Sequence, residues 1–276
     1  MKISADLTHR ILHHLALEKA QPDLRYLEAI LNAYVQTVPW ESASRIVRRA
    51  HTSETARCPR WPAEFWEGAI ERGLGGTCFE SNYAFLALLQ ALGFEGYLTI
   101  NNMHDYVGCH TVTVVQLDGA QWMADAGFPV LTPLRLDAHR RTEATSRWLH
   151  YTAQPDLNKG NVFVIERSPH PKPYMLTVIN KPVADADYRA ATINDYGPNG
   201  IFLHEVVINK VVDGELWRFS TGESPLRLQS FPNNRLVTFS LEGSRDEIAH
   251  IVAAKFGIDE NVLCKALECV TPFVER

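Results

Sequence analysis

The sequence predicts an α+β fold, with helices first, strands in the middle and a mixed C-terminal part. Two observations carry this reading. Up to about residue 95, apolar residues recur at helical spacing; from Tyr97 onward, short runs rich in β-branched residues alternate with turn signals. The strand–helix alternation of a doubly wound sheet does not develop, and no internal repeat or low-complexity segment interrupts the pattern.

The first clear helix follows Pro22, with Leu24, Leu27, Leu31 and Tyr34 on one stripe widened by Ile30 and Val35. Val38-Pro39 ends it, because proline disfavours helical geometry at the residue before it. Ala63 to Arg72 reads as another helix, stopped by the glycines of Gly73-Leu74-Gly75-Gly76. The best-marked helix runs from Cys78 to about Leu92, with Phe79, Phe85, Leu86, Leu89 and Leu92 as its apolar surface and Gly93-Phe94 as its end. Thr77 and Glu80 have the spacing of a capping box at its start.

Strands are expected at Tyr97–Ile100, Thr111–Leu117 and Gln121–Ala124, the last two joined by an Asp118-Gly119 hairpin turn. Val162–Ile165, Tyr174–Ile179, His204–Lys210 and Leu236–Leu241 follow, while the proline-rich Ser168–Pro173 segment is expected to be a loop or an edge. Ser244-Arg245-Asp246-Glu247 has capping-box form, with Ile248, Ile251, Val252 and Phe256 behind it and Gly257 as the stop.

Composition narrows the function classes. The 276 residues are 46% apolar and 21% charged, ordinary globular usage that excludes a disordered or collagen-like chain. With 27 Lys plus Arg against 32 Asp plus Glu, the formal charge is −5, without the broad basic footprint of a nucleic-acid binder. No apolar run approaches the roughly 20 residues that span a bilayer, and the first residues lack a signal-peptide stretch. Five cysteines at irregular spacings argue against a disulfide framework, so a soluble, cytoplasmic protein with reduced thiols is expected.

One segment concentrates chemistry. Cys78 at the first position of a helix sits where the helix dipole and unpaired amides favour a thiolate, and its own amide is placed to stabilise an oxyanion. The same position also suits a small buried residue opening a core helix. The Gly73–Gly76 run is not a phosphate loop, since no strand precedes it and no Gly-Lys-Ser/Thr follows.

A thiolate nucleophile needs a base and an orienting partner. If Asp118-Gly119 is a two-residue turn, Val112 lies opposite Asp125 and His110 opposite Gly127, so His110 and Asp125 become diagonal neighbours on one face. A bulge of one residue would separate them. Cys109 points the other way along the strand and reads as packing. His13-His14, His104 and His139 show no zinc spacing, and no metal is expected.

Together these residues resemble the arylamine N-acetyltransferase family, cysteine enzymes that move an acetyl group from acetyl-CoA to an amine. Its arginine-glycine-glycine-x-cysteine signature is similar to Gly75-Gly76-Thr77-Cys78, its catalytic histidine to His110, and its aspartate-x-glycine-phenylalanine segment to Asp125-Ala126-Gly127-Phe128. Val38-Pro39-Trp40-Glu41-Ser42 looks like its proline-phenylalanine-glutamate-asparagine segment, and the likeness covers about residues 38 to 136. Three departures stand out: Leu74 replaces the arginine, with Arg72 two positions away; Pro129 follows Phe128 where a glycine is usual; and Gly108-Cys109 precedes His110.

The resemblance implies an N-terminal helical bundle (1–95) carrying Cys78, a central antiparallel β-barrel (96–190) carrying His110 and Asp125, and a C-terminal α/β lid (191–276). It implies a ping-pong reaction with Cys78 as nucleophile, His110 as base and Asp125 as its orienter. It also implies acetyl-CoA as co-substrate with no permanently bound cofactor, Gly127 and Phe128 beside its phosphates, and a small aromatic amine or hydrazine as acceptor. Neither a nucleic-acid nor a membrane partner is expected. Other readings remain open: an amide synthase of the same fold with a carrier-bound or longer acyl donor, a thiol hydrolase or transglutaminase-like enzyme, or a binding protein that keeps the fold.

Overall fold

Polar side chains start the first two helices. Ser4 caps α1 (Ala5–His14), its hydroxyl accepting from the Leu7 amide at 3.1 Å. Asp23, rather than Pro22, caps α2 (Leu24–Thr37), with Oδ1 accepting from the Tyr26 amide at 2.7 Å. Leu27, Ile30, Leu31, Tyr34 and Val35 are buried as the stripe predicts, whereas Leu24 in the first turn is exposed. This computed structural model describes residues 2–128, 130–170, 172–232 and 235–270; Pro129 and Pro171, each within a segment singled out in the sequence, lie outside them.

The chain continues through β1 (Trp40–Glu41), α3 (Ala43–Ala50), a 3-10 turn at Thr55–Arg57, α4 (Pro62–Arg72) and α5 (Cys78–Ala91). Residues Cys78 to Leu89 of α5 are all buried, which explains its weakly one-sided apolar pattern: it is a central helix enclosed by neighbours. The Phe94 amide closes the helix by donating to the Leu89 carbonyl at 3.0 Å.

Eight antiparallel strands follow: β2 (Glu95–Met103), β3 (Tyr106–Leu117), β4 (Ala120–Ala124), β5 (Leu134–Leu136), β6 (Thr142–Thr145), β7 (His150–Pro155), β8 (Val162–Ser168) and β9 (Tyr174–Ile179). Their order is β5-β4-β3-β2-β9-β8-β7-β6, and β5 and β6 at the two edges meet, so the sheet is nearly closed into a barrel. Asp118 and Gly119 have φ of 49° and 73°, the two-residue turn the hairpin requires, and Leu117 pairs with Ala120.

The chain then forms α6 (Asp185–Asn194), β10 (Val207–Val212), β11 (Glu215–Ser220), β12 (Arg227–Ser230), β13 (Val237–Ser240), α7 (Arg245–Phe256) and α8 (Glu260–Cys269). β1 pairs with β10 and completes a five-stranded antiparallel sheet, β1-β10-β11-β12-β13, to which α3, α7 and α8 contribute the core. The strand expected at 204–210 is displaced to 207–212, and that at 236–241 shortens to 237–240. The Ser244/Glu247 capping box forms in both directions and Gly257 ends α7 in the left-handed region. Ile248, Val252 and Phe256 are buried, but Ile251 faces outward at 42% exposure.

The fold is therefore α+β, with helices α1, α2, α4 and α5 sharing one apolar core with the barrel. A separate small cluster of Cys78, Phe79, Tyr83, Leu86, Leu98 and Tyr188 joins the start of α5 to β2 and α6. Among the described residues, no helix is long and apolar enough to cross a membrane.

Candidate active site

Two segments far apart in sequence clamp the chain before Cys78. A Cβ on Gly75 would lie 1.6 Å from the Pro39 carbonyl oxygen, so only glycine lets these backbones meet. The Gly75 amide donates to Glu41 Oε1 at 3.2 Å, and Trp40 and Gly76 form a parallel bridge. The Val38–Ser42 segment and the glycine pair, singled out separately in the sequence, thus abut.

Cys78 is the first residue of α5 and 8% exposed, buried yet reachable. Its thiol donates to the Cys109 carbonyl at 3.6 Å, and its own carbonyl accepts from Thr111 Oγ1 at 3.1 Å. Tyr188 of α6 closes the cluster from the other side, donating from its hydroxyl to the Phe79 carbonyl at 2.8 Å and lying 3.1 Å from Thr111 Oγ1.

The hairpin register brings the next two residues together. Thr113 pairs with Ala124, and beyond that last pair of the ladder His110 Nε2 lies 2.7 Å from Asp125 Oδ2, with both side chains buried. Burial alone would lower the His110 pKa. The negative charge of Asp125, its hydrogen bond, and hydrogen bonding and charge at Cys78 outweigh it, holding His110 well above its ordinary value. One ring nitrogen thus meets the carboxylate, and Cys78 and Asp125 both act on the His110 imidazole, which groups the three residues. Asp125 is itself tied down: Oδ1 accepts from Asn82 Nδ2 at 2.9 Å and from the Gly127 and Phe128 amides at 2.7 and 3.1 Å.

The capping box expected at Thr77 and Glu80 does not form, because buried arginines recruit both side chains. Thr77 Oγ1 accepts from Arg45 Nη1 at 2.9 Å. Glu80 accepts from Arg60 Nη2 at 2.6 Å, the Arg60 amide at 2.7 Å and the Tyr196 hydroxyl at 2.7 Å. A desolvated guanidinium needs acceptors more than an already buried helix start needs a side-chain cap. Arg60 also donates to the Gly75 carbonyl at 2.7 Å, so it supplies the guanidinium beside the glycine pair where Leu74 is instead buried in the core of the five-stranded sheet. Arg45 in turn pairs with Asp195 at 2.6 Å and lies over the Tyr196 ring.

Gly127 packs directly on Cys78: a Cβ there would lie 2.4 Å from Cys78 Cα. Phe128 stands edge-on to His110 with ring centroids 6.2 Å apart. Cys109 is half-buried and its thiol donates to the Tyr106 carbonyl at 3.4 Å. Among the described residues, no group of three or more His, Cys, Asp or Glu is placed to hold a metal. A cleft of about 720 Å³ between α3, α4 and α8 lies elsewhere; its walls mix Arg48, Arg57 and Arg72 with Glu64, Glu67 and Glu71, and none of the three grouped residues lines it.

Asn82, Arg45, Arg60, Tyr188 and Tyr196 were not legible as site residues. Asn82 alone carries a sequence signal, standing four residues after Cys78 and hence on the same helix face.

A sequence profile of the N-acetyltransferases matches residues 23–262, most of the chain. The chain belongs to the arylamine N-acetyltransferase family. As a member of that family it is an enzyme, and its fold agrees. The arylamine N-acetyltransferase of Mycobacterium abscessus superposes with a TM-score of 0.76 at 19% identity, covering 97% of this chain and 99% of its own. That of Mycobacterium marinum in complex with CoA gives 0.79 at 16% identity, over 96% and 100%. A Bacillus cereus arylamine N-acetyltransferase, described as having a Cys-His-Glu catalytic triad, gives 0.74 at 18% identity, over 93% and 100%. No curated protein matches the sequence at a significant level.

Proposed function

We propose that the chain transfers an acetyl group from acetyl-CoA to the nitrogen of an arylamine or hydrazine through a thioester on Cys78. The observation that carries this reading is the buried His110–Asp125 pair at 2.7 Å, joined to a cysteine at the start of a helix, in a chain of this family. The CoA complex of the Mycobacterium marinum enzyme supports the donor, and the Bacillus cereus triad differs from Cys78-His110-Asp125 only in its acid.

In the first half-reaction the Cys78 proton passes to His110, and the thiolate attacks the acetyl carbonyl of the donor. The Cys78 amide stabilises the tetrahedral oxyanion. As this collapses, the C–S bond to CoA breaks and the departing sulfur takes the proton from His110. In the second, the amine attacks the thioester while His110 accepts its proton. The bond to Cys78 Sγ then breaks, and the proton returns to the thiolate. Asp125, hydrogen-bonded to His110 Nε2, holds the ring in place and fixes which ring nitrogen carries the proton.

Steady-state turnover tests the proposal. The wild-type protein acetylates a hydrazine or arylamine at the expense of acetyl-CoA, and Cys78→Ala abolishes the reaction. Full activity in Cys78→Ala refutes it.

A further inference from the structure

Side chains alternate along β8, and Phe163 and Ile165 both face the barrel core, at 1% and 0% exposure. Arg167 is the next residue on that face. Its partner across the ladder on β7 is Tyr151, which is fully buried, and directly opposed residues share a face. The Arg167 guanidinium is therefore turned toward the barrel interior. Its central carbon lies 4.9 Å from the centroid of the Phe128 ring, whose other neighbour is His110. One aromatic ring separates this cation from the imidazole of the site.

Arg45 and Arg60, buried arginines near the site, each hold a carboxylate, whereas Arg167 is half-buried. Among the described residues Arg167 pairs with no carboxylate, and its Nε, like those of Arg45 and Arg60, is buried with no hydrogen-bond partner. Burial pushes its pKa below the ordinary value, opposed by the nearby Tyr151, yet a guanidinium remains charged in proteins. The Phe128 face compensates the charge in part. A half-buried cation without a counter-ion still loses part of its hydration, and an anion placed beside it by a bound substrate would offset that loss.

We propose that Arg167 binds the anionic group of a substrate at the acyl-transfer site, either a carboxylate on the amine acceptor or a phosphate of the acyl donor. This rests on the reading of Cys78 as the acyl carrier and adds the charge of its substrate. The planar two-donor edge of a guanidinium matches either oxyanion. Phe128, lying between Arg167 and His110, gives an aromatic acceptor a ring to pack on, with its amine toward His110 and its anion toward Arg167.

The two half-reactions distinguish the sources. Release of the acetyl group from Cys78 is timed with 4-aminobenzoate and with its neutral counterpart 4-aminobenzamide. Acylation is timed with acetyl-CoA and with the phosphate-free S-acetyl-N-acetylcysteamine. In Arg167→Gln, the ratio of charged to neutral rate constants falls about ten-fold or more in one half-reaction, and that half names the source. Arg167→Lys, which keeps the charge without the fork, recovers part of the ratio and serves alone if the glutamine variant does not fold, its own ratio then lying below that of the wild type. Ratios unchanged from wild type in both halves overturn the proposal. If neither donor acylates wild-type Cys78, the acyl-transfer reading itself falls. Calorimetric binding of 4-aminobenzoate against 4-aminobenzamide then still reads Arg167: preference for the anion, reduced in the variants, supports it, and equal binding overturns it.

Discussion

Asn82 stands one helical turn beyond Cys78 and donates Nδ2 to Asp125 Oδ1 at 2.9 Å, so the helix that presents the thiol also fixes the carboxylate behind the histidine. The same amide group reaches the Thr111 carbonyl at 2.7 Å, and Asn82 Oδ1 accepts from the Ala126 amide at 3.1 Å. One side chain thereby ties α5, β3 and the turn after β4 together.

Asn82→Ala removes these bonds and leaves Asp125 and the Thr111 carbonyl short of donors in a buried site. Stability is expected to fall by about 1–3 kcal/mol, read by urea denaturation. Acetyl transfer is expected to slow through kcat, since Asn82 holds Asp125 rather than a substrate. Asn82→Asp should be worse, because it puts a second carboxylate against Asp125.

The raised pKa of His110 sets a pH dependence. A group whose pKa is higher in the folded state stabilises that state fully below its unfolded value of 6.5, and the contribution is lost as pH rises through the folded value. Asp125→Asn removes the main opposing charge and leaves burial in control, so this component disappears. Denaturation at a series of pH values should show it in the wild type and not in the variant, and Cys78 alkylation by iodoacetamide near neutral pH should slow in the variant.

Gly127→Ala tests the contact between the turn and Cys78. The new Cβ would lie 2.4 Å from Cys78 Cα and 2.5 Å from Asn82 Nδ2, distances that only displacement can relieve. Overpacking of this kind costs about 1–3 kcal/mol, so a lowered Tm and a slower rate of Cys78 alkylation are expected.

Arg60 and Glu80 give a prediction in acid. Burial alone would raise the Glu80 pKa, but the charge and hydrogen bonds of Arg60 and the Tyr196 hydroxyl bring it below its ordinary 4.5. Its stabilising contribution is present above 4.5 and lost as pH falls through the lower folded value. Arg60→Ala leaves a buried carboxylate unpaired and should cost about 3–5 kcal/mol, with unfolding moved to higher pH in an acid titration. Adding Glu80→Gln should recover part of the loss.

Much of this arrangement is legible in the sequence where the signal is local. A helix starting at Cys78, a two-residue turn at Asp118-Gly119 and strand alternation are enough to place His110 and Asp125 on one face, and the ladder keeps that register. The same local rules fail at Thr77 and Glu80, whose spacing matches a capping box but whose partners, Arg45 and Arg60, arrive from before the helix. Pairing of β1 with β10 and the placement of Tyr188 and Tyr196 depend on contacts across more than a hundred positions, which no spacing rule reports. Short elements such as β5, β6 and β12 carry too few residues for a periodicity to register.

The central claim, that Cys78 carries the acyl group, is tested most directly by intact-protein mass spectrometry after brief exposure to acetyl-CoA, followed by peptide mapping. One acetyl adduct is expected on the peptide containing Cys78, lost when an arylamine or hydrazine is added. An unmodified Cys78, or an adduct on another cysteine that persists in the presence of the amine, would contradict it.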